Sequence, residues 1–143
     1  TVGTRFDLGN KDAADPVGVF SCRPDFMLLL YPVITFREEF GHMGSRRNLI
    51  GEGNDWGKVK MYSNELQVTA ETPPTFLVLA DNDKAVQPRN SVEFYMAMKK
   101  YGIPAEIHIF QKGGHGFGIR EKGLPHDNWP NLFYDWLKAV EII

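Results

Sequence analysis

Cysteine is almost absent: Cys22 is alone among 143 residues. A single thiol excludes an internal disulfide and a cysteine-based metal cluster. Long apolar runs are missing too. None approaches the ~18 residues that would read as a membrane-crossing helix. Charge of one sign is not in surplus either: sixteen Lys and Arg stand against eighteen Asp and Glu, a net charge of −2. No stretch gathers the basic residues on one face, which excludes the electrostatic footprint of a nucleic-acid binder. There is no internal repeat, no linker that would divide the chain, and no leader-like segment. The chain opens on Thr1 rather than Met, so its compartment stays open.

What is present has the balance of a globular domain. Hydrophobic residues make up 43%, charged residues 24% and aromatics 13%, and the length suits one domain with its own core. Residues 1–10 read as the tail of a helix stopped by Gly9-Asn10. Residues 11–25 read as loop, with Pro24 a breaker. Phe26 to Tyr31 is a continuous apolar run closed by Pro32, the pattern of a parallel strand buried on both faces.

Residues 35–73 hold no comparable run and read as a surface excursion, with short helical pieces near 45–50 and 56–63. Its Phe36, Phe40, Met43, Trp56, Met61 and Tyr62 either cover a cleft or pack the excursion onto the body. Thr75 to Ala80 is a second continuous apolar run. It ends in the polar turn Asp81-Asn82-Asp83-Lys84. A helix follows over 91–101, with Phe94, Ala97, Met98 and Tyr101 on one face. Asn90 or Ser91 caps it, and Gly102 stops it. A third strand spans 105–110. The last helix starts at Trp129, with Leu132, Phe133, Trp136, Leu137 and Val140 continuing its apolar stripe. Strands alternating with helices imply a parallel sheet flanked by helices.

The third strand runs into Gly113-Gly114-His115-Gly116-Phe117-Gly118, one imidazole among four glycines. Open parallel sheets bind ligands beyond the C-terminal ends of their strands. Asp81 and Asp83 follow the second strand, and His115 follows the third. Adjacent parallel strands bring both turns to one rim. A carboxylate accepting from Nδ1–H fixes the tautomer and leaves Nε2 to take a proton from a nucleophile. Either aspartate also suits a plain turn former. His42, His108 and His126 read as structural or solvated.

The stretch from Pro73 to Phe117, with its strand, Asp turn, Val86, Pro88, Asn90-Ser91, Gly-Ile-Pro-Ala, strand and Gly-Gly-His-Gly-Phe, resembles the C-terminal part of α/β-hydrolase fold esterases. The nearest family members are bacterial acetyl-xylan or sugar esterases, and prolyl-oligopeptidase-type peptidases are more distant. The resemblance extends over nearly the whole chain. It implies an α/β fold of which residues 1–143 form part: parallel strands with flanking helices, the nucleophile half missing. In that family the acid stands eight residues before the serine that opens the next helix. From Ser91 this selects Asp83 over Asp81 and makes His115 the base of a Ser-His-Asp triad. The implied activity is hydrolysis of small or sugar acetyl esters, with no cofactor or metal. The alternatives are an oligopeptidase-type serine peptidase and a non-catalytic, hydrolase-derived scaffold.

The departure from the family is the nucleophile elbow, Gly-x-Ser-x-Gly. Ser21, Ser45, Ser63 and Ser91 all lie outside that frame. The resemblance therefore implies a serine and oxyanion donors upstream of Thr1. It also implies an unpaired edge on the strand at 26–31, to be covered by the missing N-terminal half or by another chain. Alone, the 143 residues are expected to be inactive and not an autonomous stable monomer.

Overall fold

A computed structural model describes all of residues 1–143. Three strands form one sheet: β1 (Met27–Leu30), β2 (Thr75–Ala80) and β3 (Ala105–Phe110). They are parallel and stand in the order β1-β2-β3, with Met27 opposite Thr75 and Thr75 opposite Ala105. Four helices accompany them: α1 (Met43–Ile50), α2 (Trp56–Tyr62), α3 (Arg89–Lys100) and α4 (Trp129–Ala139).

Alternation along β2 assigns the two faces. Leu77 packs with Phe94 and Met98 of α3, and with Ile34, Val68 and Ile103. Phe76, Val78 and Ala80 pack on the other face with Phe117 and with Trp129 and Trp136 of α4. The result is a sheet between two helical layers, and each parallel crossover has room for its helix. Every residue of β2 is buried, while all four residues of β1 are only partly covered. Both strands are continuously apolar, so the difference lies in their neighbours. β1 is a sheet edge, hydrogen-bonded on one side only.

The excursion after β1 is held by a buried polar hub. Asn90, in the first turn of α3, is fully buried. Its Oδ1 accepts from the amides of Ile34 and Thr35 at 3.0 and 3.1 Å. Its Nδ2 donates to the carbonyls of Phe40 and Gln87 at 2.9 and 3.1 Å. Four bonds saturate the carboxamide. Asn90 therefore ties the excursion to α3 instead of capping the helix, and α3 starts at Arg89 behind Pro88.

Other boundaries also differ from the sequence reading. The first ten residues form a single turn, in which the amides of Thr4 and Arg5 both reach the Thr1 carbonyl. Asp7 then bonds the amide of Gly9 through its Oδ1 at 2.7 Å, and its carbonyl accepts from Cys22. Those local bonds compete with a helix and win. A short 3-10 turn at Pro16–Val19 lies within the segment expected to be loop. The last helix ends at Ala139. The excursion's aromatics divide: Phe36 and Phe40 are buried, while Met43, Trp56 and Met61 are exposed. Tyr62 and Phe36 line a cavity of about 400 Å³ together with Val33, Leu49 and Thr1. No helix is long and apolar enough to cross a membrane.

Candidate active site

β2 and β3 end side by side, with Ala80 opposite Phe110. The Asp81 amide still bonds the Phe110 carbonyl at 2.7 Å. The two turns beyond therefore start from one fixed point on the C-terminal rim. From it, Asp83 and His115 meet: His115 Nδ1 lies 2.7 Å from Asp83 Oδ2. The second oxygen of Asp83 accepts from the amides of Ala85 and Val86 at 2.8 and 3.0 Å. The carboxylate thus sits in a closed set of donors, and its side chain is 1% exposed.

Burial alone would push the Asp83 pKa up. The bonds from Val86, His115 and Ala85 outweigh it and hold the carboxyl below its ordinary range. An ionised acceptor requires His115 to donate from Nδ1, which leaves Nε2 without its proton in the neutral ring. The His115 side chain is 40% exposed, so Nε2 is within reach of a reacting group. Asp81, the other aspartate of the turn, is exposed and takes no side-chain bond.

The histidine loop folds tightly because glycine permits it. At Gly113 a Cβ would stand 3.0 Å from the Ala80 Cβ and 3.2 Å from the Phe117 ring, so even a methyl there would crowd the seat of the loop on the sheet by a few tenths of an ångström. Gly114 has φ +68°, a left-handed conformation that suits glycine. Phe117 anchors the loop in the core, and Trp129 Nε1 donates to the Gly118 carbonyl at 2.8 Å.

Three further residues shape the site and were not apparent as such in the sequence. Asn82 Oδ1 accepts from the amides of Gly113 and Gly114 at 3.0 and 2.9 Å. Tyr31 presents its ring edge-on to both His115 and Phe117, with centroids 4.8 and 5.0 Å apart. Its φ of +38° is rare for a bulky residue and turns the chain off β1 at the rim. His126 lies beneath the loop. It is fully buried, neither ring nitrogen has a hydrogen bond, and its ring packs 4.7 Å from Phe117. Of the structural and solvated readings of His126, the structural one holds, since Phe110 and Phe117 enclose it. The signals were an Asn next to a candidate acid, an aromatic ending a strand, and a His before an apolar helix, and none is specific alone. His42 caps α1 and His108 pairs with Glu106, both in structural roles. No group of three or more His, Cys, Asp or Glu residues is placed to hold a metal ion.

A parallel sheet whose second and third strands deliver a carboxylate and a histidine to one rim has the architecture of the α/β-hydrolase fold. Within that class, the prolyl oligopeptidase family model matches residues 21–140, and the chain belongs to that family. It is 33% identical over 125 residues to an acetylxylan esterase of Xylanibacter ruminicola, covering 85% of this chain and 26% of that protein. It is 34% identical over 109 residues to endo-1,4-beta-xylanase B of Butyrivibrio fibrisolvens, covering 76% and 17%. An acetyl ester-xyloside bifunctional hydrolase from Caldicellulosiruptor lactoaceticus has a similar structure, with TM-score 0.94 and 44% identity over 99% of this chain and 52% of that one. The chain thus spans about half of that solved structure and 26% and 17% of the two curated relatives. The expected resemblance to α/β-hydrolase esterases and the expected fold both hold.

Proposed function

We propose that this chain supplies the general base and its orienting acid to a serine carboxylic ester hydrolase. The observation behind this reading is the 2.7 Å bond between the ionised Asp83 and His115 Nδ1, with Nε2 left open. His115 Nε2 takes the proton of a serine hydroxyl as its Oγ attacks the ester carbonyl carbon. The imidazolium returns that proton to the departing alcohol, leaving an acyl-enzyme. Water then repeats the sequence, with His115 first base and then acid. Asp83 stays ionised throughout and stabilises the imidazolium. The serine and the oxyanion donors come from sequence outside these 143 residues, which contain no Gly-x-Ser-x-Gly.

The substrate is a small or sugar acetyl ester, a choice supported by the acetylxylan esterase and the acetyl ester-xyloside hydrolase among the relatives. A second reading, a serine peptidase of oligopeptidase type, is favoured by the family model. The test is hydrolysis by the full-length protein of p-nitrophenyl acetate, acetylated xylan and a prolyl p-nitroanilide peptide. Ester turnover that falls about 10³- to 10⁴-fold in both His115→Ala and Asp83→Asn is expected. Cleavage of the peptide alone would favour the peptidase, and no hydrolysis of any of them would favour a scaffold.

The open side of β1 belongs to the same proposal. A missing N-terminal half, or another chain, pairs there and covers the half-exposed Met27 to Leu30. Residues 1–143 expressed alone should then unfold without a sharp transition and bind a hydrophobic dye. A cooperative monomeric transition of ordinary stability would exclude this.

A further inference from the structure

We propose that Asn82 is a positioning residue for His115, acting through the backbone of the histidine loop. The inference rests on the reading of His115 as a base and adds the residue that sets its place. Asn82 Oδ1 takes both N–H groups at the start of the loop, Gly113 at 3.0 Å and Gly114 at 2.9 Å. Asn82 and Asp83 are consecutive in one turn, so that turn grips the loop twice. Asn82 holds the main chain before the histidine, and Asp83 holds the ring.

The loop needs such a grip. A Cβ at Gly114, Gly116 or Gly118 would touch nothing within 4 Å, so packing restrains these positions little. Apart from the seat of Gly113 against Ala80, its other anchors, Phe117 and the Gly118 carbonyl, lie after the histidine. Before it, the two amides would turn to solvent without Asn82. A carboxamide oxygen has two lone pairs and accepts both. Asn82 is itself exposed, so its contribution to the core is small, and its role lies in placing the loop. A shift of about 1 Å in a reacting group can cost on the order of 10²-fold in rate.

The test uses the full-length protein, with Asn82→Ala, Asn82→Asp and His115→Ala. In Asn82→Ala the amides of Gly113 and Gly114 should exchange with deuterium faster. The kcat for p-nitrophenyl acetate should fall about 10- to 100-fold, with KM changed less than about twofold. Asn82→Asp keeps an acceptor oxygen in the same place and should recover most of both. Unchanged amide exchange in Asn82→Ala overturns the tether. Faster exchange with unchanged kcat, or an Asp variant as impaired as the Ala variant, overturns the positioning role. An active His115→Ala enzyme instead overturns the assignment of the base, so the two failures are told apart.

Discussion

Asp83 and Glu65 are both carboxyl groups taken out of water, with side chains 1% and 4% exposed, and they are held in opposite senses. Asp83 meets donors on both oxygens and is held below its ordinary pKa. Glu65, in the excursion, is raised above its ordinary value. Burial is the main cause, opposed by the Thr35 hydroxyl at 2.7 Å, its own backbone bond and the Arg37 charge, and reinforced by Glu93. Its Oε2 is buried with no partner. Burial pushes both pKa values up, and the number of donors decides the outcome. A carboxyl group that must orient an imidazole needs its charge, and the rim turn supplies the N–H groups that keep it. The excursion supplies fewer donors, so burial wins there and holds Glu65 above its ordinary value.

Substitution tests this contrast most strongly through activity. In the full-length protein, Asp83→Asn should lower kcat/KM for p-nitrophenyl acetate about 10³- to 10⁴-fold, because the amide cannot stabilise the imidazolium. Glu65→Gln should leave it within about threefold. Comparable losses in both would erase the distinction between an orienting acid and a structural one.

A smaller effect is expected in the pH dependence of unfolding, and its sign differs for the two groups. The folded pKa of Asp83 lies below its unfolded value, near 3.8. Its stabilisation is therefore present above that pH and is lost as pH falls through the folded value. Glu65 is the reverse: its folded pKa lies above 4.5, so its contribution is full in acid and is lost as pH rises through the folded value. Chemical denaturation across pH should show Asp83→Asn flattening the acid side of the wild-type curve. Glu65→Gln should flatten the curve above about pH 4.5, with the stability difference within about 1 kcal/mol. Curves parallel to wild type would contradict the assigned states.

The smallest effect concerns the neighbouring acid. Asp81→Asn, at an exposed position without side-chain bonds, should change neither activity nor unfolding measurably. A loss of activity approaching that of Asp83→Asn would move the orienting role to position 81.

The strands were legible because continuous apolar runs such as Thr75 to Ala80 admit few other readings, and Ala105–Phe110 ends where the glycines begin. The placement of the turn carrying Asp81 and Asp83 beside His115 on one rim followed from the adjacency of β2 and β3, while the choice of Asp83 came from the family resemblance. Helix starts were less legible where a side chain had a tertiary use. Asn90 looks like a cap and is instead a four-bonded hub, which depends on carbonyls and amides fifty or more residues away. The turn at residues 1–5 mimicked a helix end because Gly9-Asn10 is also a good stop signal. For His126 the sequence left a structural and a solvated role open, and only the fold, which brings Phe110 and Phe117 around it, selects the structural one. Asn82 was visible as a letter beside Asp83, but its bonds reach a loop more than thirty residues on.

The bond from Trp129 to the Gly118 carbonyl makes the histidine loop optically observable. The indole is 6% exposed and its N–H is engaged by the loop itself. A ligand or acyl group that displaces the loop must therefore change the emission of a buried chromophore. Trp56, 62% exposed, emits from water and can be replaced by Phe. Trp136 is held against Phe76 and Phe133 and has no hydrogen bond to the loop. Intrinsic fluorescence thus offers a label-free readout of any displacement of the histidine loop, through a reporter already hydrogen-bonded to it.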